Sequence, residues 1–152
     1  MNILAVDQAS GVSGYAWGTP ELGCLSCGII DSRSRFVDLG GQSLKFERRL
    51  RELIVQSKAE CVAFEAHRAH SGIQAAQLLG AWSLSVMRLA REAGLPYLGI
   101  EVGAWKAAFT GTGRASKDLV MAVARKKYPG LPITRYDVAD AIGILHGTFA
   151  QI

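Results

Sequence analysis

Ile3-Leu4-Ala5-Val6-Asp7-Gln8-Ala9-Ser10-Gly11-Val12-Ser13-Gly14-Tyr15-Ala16-Trp17 stands almost at the start of the chain. Its apolar run ends in one carboxylate, Asp7, and a Gly/Ser turn leads into a second alternating run at 15–17. Short apolar runs bounded by turn residues read as buried strands. An unpaired charge is costly to bury. A carboxylate ending such a strand therefore lies in water at a sheet edge, or is held for a purpose such as ligating a metal ion. The other acids of the chain decide between the two.

Working outward, Gly18-Thr19-Pro20 reads as a turn, and residues 22–30 as a third strand carrying Cys24 and Cys27. Three strands joined by tight turns predict an antiparallel meander. Residues 31–42 read as a polar loop. Over 43–57 the period becomes helical: Phe46, Leu50, Leu53 and Ile54 share a face, with Glu47, Arg48, Arg51 and Glu52 largely off it. Cys61-Val62-Ala63-Phe64 is a further buried strand, and it too ends in a carboxylate, Glu65. A polar loop at 66–72 carries His67, Arg68 and His70.

A long helix is expected over 73–93. Its apolar and small residues run nearly all round it, which implies burial on two sides, by the domain core and by a partner subunit. Gly94 caps it, and 97–100 form a fifth strand. A short helix near 104–109 carries Trp105 and Lys106, and a glycine-rich basic loop follows at 110–117. The helix 117–127 stops at Tyr128-Pro129-Gly130. The last helix starts near Tyr136 and places Asp137 and Asp140 on one face. This order predicts an α/β fold with a five-stranded mixed sheet, three antiparallel strands then two parallel, flanked by helices.

The chain has 152 residues, 49% hydrophobic and 20% charged, without repeats or linker-like stretches. That suits a single domain over 1–152 with a substantial core. The net charge of +4 is compatible with a polyanionic partner. Three cysteines and the absence of a leader-like stretch before the first strand lead us to expect a reducing, cytoplasmic setting. No apolar run reaches the roughly 20 residues of a membrane span.

Four acids occupy related places. Asp7 and Glu65 end buried strands, and Asp137 and Asp140 begin an amphipathic helix. Singly, each reads as a turn, strand-end or helix-dipole residue. Together they form an order that is hard to obtain by accident. If the first and fourth strands are neighbours, Asp7 and Glu65 lie close, and clustered carboxylates repel unless something positive sits among them. Oxygen-rich sites suit hard divalent cations such as Mg²⁺ or Mn²⁺. Two such ions about 3.5–4 Å apart can clamp both oxygens of a phosphoryl transfer. The basic glycine-rich loop fits a phosphate-backbone substrate.

These residues resemble the RuvC family of Holliday junction resolvases, members of the ribonuclease H-like superfamily. The matching pieces are Val6-Asp7-Gln8-Ala9-Ser10 with Gly14-Tyr15, Phe64-Glu65, Lys106, Gly113-Arg114-Ala115-Ser116-Lys117 and Asp137-Val138-Ala139-Asp140-Ala141. They follow the family's order near its spacing and cover most of the chain. The compact size also resembles phage-borne members.

The resemblance implies a ribonuclease H-like fold. It implies two Mg²⁺ ions, with Mn²⁺ able to substitute, held by Asp7, Glu65, Asp137 and Asp140. It implies Lys117 as a catalytic lysine, with Lys106, Arg114, Lys117, Arg68 and His67 on DNA. It implies a homodimer that cuts opposed strands of a four-way junction, leaving 5′-phosphates and ligatable 3′-hydroxyls. A two-fold dimer suits a symmetric branched DNA substrate, and the 73–93 helix is the candidate dimer surface.

Two departures stand out. The family's Asp-Pro-Gly reads Asp7-Gln8-Ala9 here, which should alter the turn and leave the ligand. The loop after Glu65 has no Phe or Tyr, so Arg68 would stack or bind phosphate instead. Alternatives are a ribonuclease H-like nuclease for forks, flaps or RNA–DNA hybrids, and a non-catalytic junction-binding dimer. An actin-like ATP-binding fold needs two lobes and a longer chain. Cys24 and Cys27 with His67 and His70 have zinc-ligand character, but residues three apart on a strand are expected on opposite faces. His146 reads as a helix-end residue, and Arg125-Lys126-Lys127 as helix C-terminal charge or an extension of a DNA footprint.

Overall fold

The computed structural model describes residues 1–35, 38–66 and 73–152, with 73–79 described by backbone alone. Strands β1 (Ile3–Asp7), β2 (Val12–Thr19) and β3 (Gly23–Asp31) form the expected meander. Then come α1 (Leu39–Gln56), β4 (Cys61–Ala66), α2 (Ile73–Glu92), β5 (Tyr97–Glu101), α3 (Val102–Thr110), α4 (Lys117–Lys127) and α5 (Tyr136–Phe149). The sheet order is β3-β2-β1-β4-β5. β1 pairs antiparallel with β2 and parallel with β4, and β4 pairs parallel with β5. The five-stranded mixed sheet read from the sequence is the one observed.

Period-two alternation divides the side chains of the sheet between two helical layers. Leu4, Val6, Val62 and Phe64 pack with Phe46, Leu50 and Leu53 of α1 and Trp82, Val86 and Leu89 of α2. Ile3, Ala5, Cys61 and Ala63 pack on the other face with Trp105, Val120 and the inner residues of α5. Asp7 follows Ala5 by two residues, and Glu65 follows Ala63 by two. Both acids are therefore carried to the α5 side of the sheet, at the C-terminal ends of adjacent parallel strands.

α5 is the helix buried nearly all round. Val138, Ala139, Ala141, Ile142, Ile144 and Leu145 are all 0–1% exposed, and Gly143, Gly147 and Thr148 are buried too. It crosses β1, β2 and β3 and is covered from outside by α3 and α4. Its first turn reaches the sheet at Gly14, the register partner of Asp7. A Cβ built on Gly14 would overlap the backbone carbonyl of Asp137. Glycine at this position is what lets the N-terminus of α5 sit down beside the end of β1.

The structure corrects three expectations. α1 begins at Leu39, inside the expected 31–42 loop, because the Asp38 side chain accepts from the Gly41 N–H and caps it. Glu47 does not lie off the buried face. It is 8% exposed, accepts from the Ser85 hydroxyl and pairs with Arg88, pinning α1 to α2. Cys24 and Cys27 share a buried face, because the pairing steps from Trp17↔Ser26 to Gly18↔Cys24 and leaves Leu25 as an extra residue. A bulge of this kind resets the alternation. Over residues 80–92, α2 buries one stripe, Trp82, Ser85, Val86, Leu89 and Ala90, against the core and leaves Ala81, Leu84, Arg88 and Arg91 exposed. Among the described residues no helix is long and apolar enough to cross a membrane.

Candidate active site

Three elements bring four acids together. Val6 pairs with Phe64 across β1 and β4, so the next residues, Asp7, the last of β1, and Glu65, one before the last of β4, stand beside each other. α5 then lays Asp137 and Asp140 across those ends. All four are half-buried, reachable from solvent but poorly hydrated. The consequence is electrostatic. Burial, then the charges of Asp140, Glu65 and Asp137, push the Asp7 carboxyl well above the ordinary aspartate range, against a pull downward from Lys117. Burial and Glu65 raise Asp140 to about 6, with Lys106 and Lys117 opposing and Asp137 adding. Asp7 feels the other three acids, and Asp140 feels Glu65 and Asp137, as a shared site requires.

Specific bonds hold parts of this cluster. Glu65 Oε2 accepts from the indole N–H of Trp105 at 2.8 Å. Asp137 Oδ2 accepts from Arg135 Nε at 3.2 Å. The Gln8 side-chain amide donates to the Glu65 backbone carbonyl at 2.8 Å and to Ser83 Oγ at 3.0 Å. Gln8 is 1% exposed and ties the end of β1 to β4 and α2. The residue standing where the family often has proline thus fastens two acid-bearing strands. Ser13 closes the β1–β2 turn, donating to the Ala9 carbonyl at 2.9 Å and accepting from the Ala9 N–H at 3.0 Å.

Both candidate lysines face the acids. Lys117 begins α4 behind its Ser116 cap and lies 6.0 Å from the centroid of the Tyr136 ring. Lys106 on α3 lies 5.6 Å from the centroid of the Trp105 ring and acts on Asp140. Arg114 is exposed in the loop before α4, and no contact places it against the acids. His67, Arg68 and His70 lie outside the described residues. His146 stands apart from the acids, hydrogen-bonded to the Tyr128 hydroxyl at 2.6 Å and stacked on Phe109. Burial lowers its pKa to about 4. Sequence reading missed Trp105 and Gln8 as neighbours of Glu65, because neither lies near it along the chain.

Among the described residues no group of three or more acids, histidines or cysteines is placed closely enough to hold a metal ion as it stands. The acids share an electrostatic neighbourhood rather than a closed coordination sphere.

This predicts a signature in chelator. Asp140 has a higher pKa folded, about 6, than its ordinary 3.8. The folded chain then binds more protons between those values, and stability from this group is lost as pH rises through them. His146, lowered to about 4, works in the opposite direction over the same range. The informative quantity is therefore the difference between Asp140→Asn and wild type. It should grow in the variant's favour from pH 4 to about 6.5 and flatten at about 3 kcal/mol. Thermal unfolding in chelator at several pH values measures it, and a flat difference contradicts it.

The sheet order, the α5 crossing and the acids at strand ends define a ribonuclease H-like α/β protein. No protein-family model matches the chain. It is 34% identical over 153 residues to a crossover junction endodeoxyribonuclease RuvC of Pelodictyon phaeoclathratiforme, covering 95% of this chain and 77% of the relative. It is 32% identical over 156 residues to the RuvC of Synechococcus sp. WH7803, covering 99% and 100%. The chain belongs to the RuvC family. Among solved structures, Thermus thermophilus RuvC in complex with a Holliday junction substrate superposes with a TM-score of 0.84 at 22% identity, covering 99% and 94%. A fowlpox virus resolvase gives 0.65 at 11%, covering 99% and 98%. At those identities the superpositions establish the fold.

Proposed function

We propose that this chain is a structure-selective DNA endonuclease that resolves four-way junctions by paired, symmetric, metal-dependent nicks. The observation that carries the reading is the meeting of Asp7, Glu65, Asp137 and Asp140, remote in sequence, at one half-buried edge faced by two lysines. Kinship to crossover junction endodeoxyribonucleases supports the substrate class.

The residues fit divalent cations. The donors are hard oxygens, and their mutual repulsion, visible in the raised Asp7 and Asp140, is what added positive charge relieves. Asp7, Glu65, Asp137 and Asp140 would hold two Mg²⁺, with Mn²⁺ able to substitute. Bound there, such a pair supplies an activated water and stabilises the leaving oxygen of a phosphodiester.

The remaining work falls to side chains of this chain. Lys117 and Lys106 flank the acids and would neutralise the phosphate drawn in, Lys117 nearest the reacting group. Arg114 would bind the DNA backbone beside them. Arg68 and His67 follow the Glu65 strand in sequence and would meet DNA there. Burial keeps water scarce around the acids, which strengthens each charge interaction.

A homodimer would present two such sites to opposed strands, since a two-fold axis matches a symmetric junction. The α2 face carrying Leu84, 60% exposed, is its candidate interface. A single domain over 1–152 accommodates the whole site, and three free thiols agree with a cytoplasmic setting.

The test compares Mg²⁺-dependent cutting of a synthetic immobile four-way junction, a fork, a linear duplex and an RNA–DNA hybrid. Paired symmetric nicks with religatable ends on the junction are expected, and chelator should abolish them. Preference for the hybrid, or cutting undiminished by chelator, contradicts the reading.

A further inference from the structure

Trp105, at 1% exposure, is the largest fully buried side chain among the described residues, and three features converge on it. Its indole N–H donates to Glu65 Oε2 at 2.8 Å. Its ring lies 5.6 Å from the ammonium of Lys106, within cation–π range. Its other side fills a slot cut into α5. A Cβ on Gly143 would meet the ring at 2.5 Å, and one on Gly147 would meet Trp105 Cβ at the same distance. The two glycines are one helical turn apart on the face that carries the indole. The ring is thus fixed by α5, the same helix that supplies Asp137 and Asp140.

We propose that Trp105 is a positioning residue for the divalent-cation site, setting the Glu65 carboxylate and the Lys106 ammonium relative to the acids of α5. The inference rests on the metal-site reading above. A carboxylate on a strand end can rotate about its side-chain torsions. A charge-assisted hydrogen bond from a donor that cannot itself move removes that freedom. Outer partners that orient a metal ligand typically affect metal affinity by 10–100-fold. Stacking on the same ring gives Lys106 a defined place beside Asp140, whose pKa it lowers. The indole thereby couples one acid and one base of the site to the helix that holds the other two acids.

Trp105→Phe keeps an aromatic ring and deletes the donor. Calorimetric titration with Mg²⁺ and with Mn²⁺ should show affinity lower by about tenfold than wild type. Nicking of the four-way junction should return when Mg²⁺ is raised by the same factor, a rescue that a merely structural defect would not give. In case the smaller ring loosens the core, ¹⁵N-indole spectra of the wild-type protein give an independent readout. Trp17, Trp82 and Trp105 supply three resonances; the indole N–H groups of Trp82 and Trp105 are both buried and should be protected from exchange, and the Trp105 resonance should be the one that moves most on Mg²⁺ addition. Loss of the Trp105 protection in Glu65→Ala supports the assignment. Equal Mg²⁺ affinity in wild type and a folded Trp105→Phe, or an unmoved Trp105 resonance in metal-loaded wild type, overturns the proposal alone. Failure of the wild-type protein to take up either metal overturns the site reading and this proposal together.

Discussion

Asp7→Asn should leave a protein that still holds a four-way junction and no longer cuts it. Asp7 is raised by burial and then by the three other carboxylates, and pulled down by Lys117. Asparagine keeps the shape and one acceptor oxygen and removes the charge. Loss of one metal-binding charge is expected to cost several kcal/mol of transition-state stabilisation, on the order of a 10³-fold fall in nicking rate. Binding depends on the basic surface, and removing a negative charge beside it should leave junction affinity equal or slightly higher. The fold should gain, because a repelled, poorly hydrated carboxylate is replaced by a neutral amide. Single-turnover nicking, a gel-shift titration and a thermal melt separate these three effects. Nicking within tenfold of wild type would remove Asp7 from the proposed metal site.

Gly14→Ala should be among the most damaging single methyls in the described residues. The added carbon would overlap the Asp137 backbone carbonyl carbon and oxygen, and an obstacle made of backbone cannot rotate aside. Either β2 bends or α5 lifts. Overpacking a core typically costs about 1–3 kcal/mol, and this contact belongs at or above the upper end. For a chain of this length that is a melting point lower by about 6–12 °C. The functional loss should exceed the loss of stability. Lifting α5 separates Asp137 and Asp140 from Asp7, so the variant should nick poorly at temperatures where it is fully folded. Wild-type nicking with an unchanged melting point would show that the approach of α5 to β2 is looser than the geometry requires.

Much of this arrangement was legible in the sequence, for identifiable reasons. Strands β1 and β4 are continuous apolar runs that stop at a charge, so both their existence and their terminal acids could be read directly. The end of α4 was marked by Tyr128-Pro129-Gly130, and the structure adds the Ser116 cap at its start. The start of α1 was hidden because Gly40 and Gly41 are poor helix formers and only the Asp38 cap betrays the turn. The common face of Cys24 and Cys27 was hidden because one extra residue in a strand leaves no compositional trace. Among the site residues, the acids announced themselves by position. Trp105 did not, since a tryptophan on a short helix reads as core until its N–H is seen on Glu65. The Gly143 and Gly147 spacing was the one available hint that a large ring lies against α5.

The order of the elements along the chain has a bearing on biosynthesis. β1 and β4 leave the ribosome with Asp7 and Glu65 before α5 is made. A nascent or truncated polypeptide lacking α5 carries half of the acids and no lid over that face of the sheet. Cutting power of the kind proposed would then arise only once synthesis has passed α5, so products that stop before it could not nick DNA.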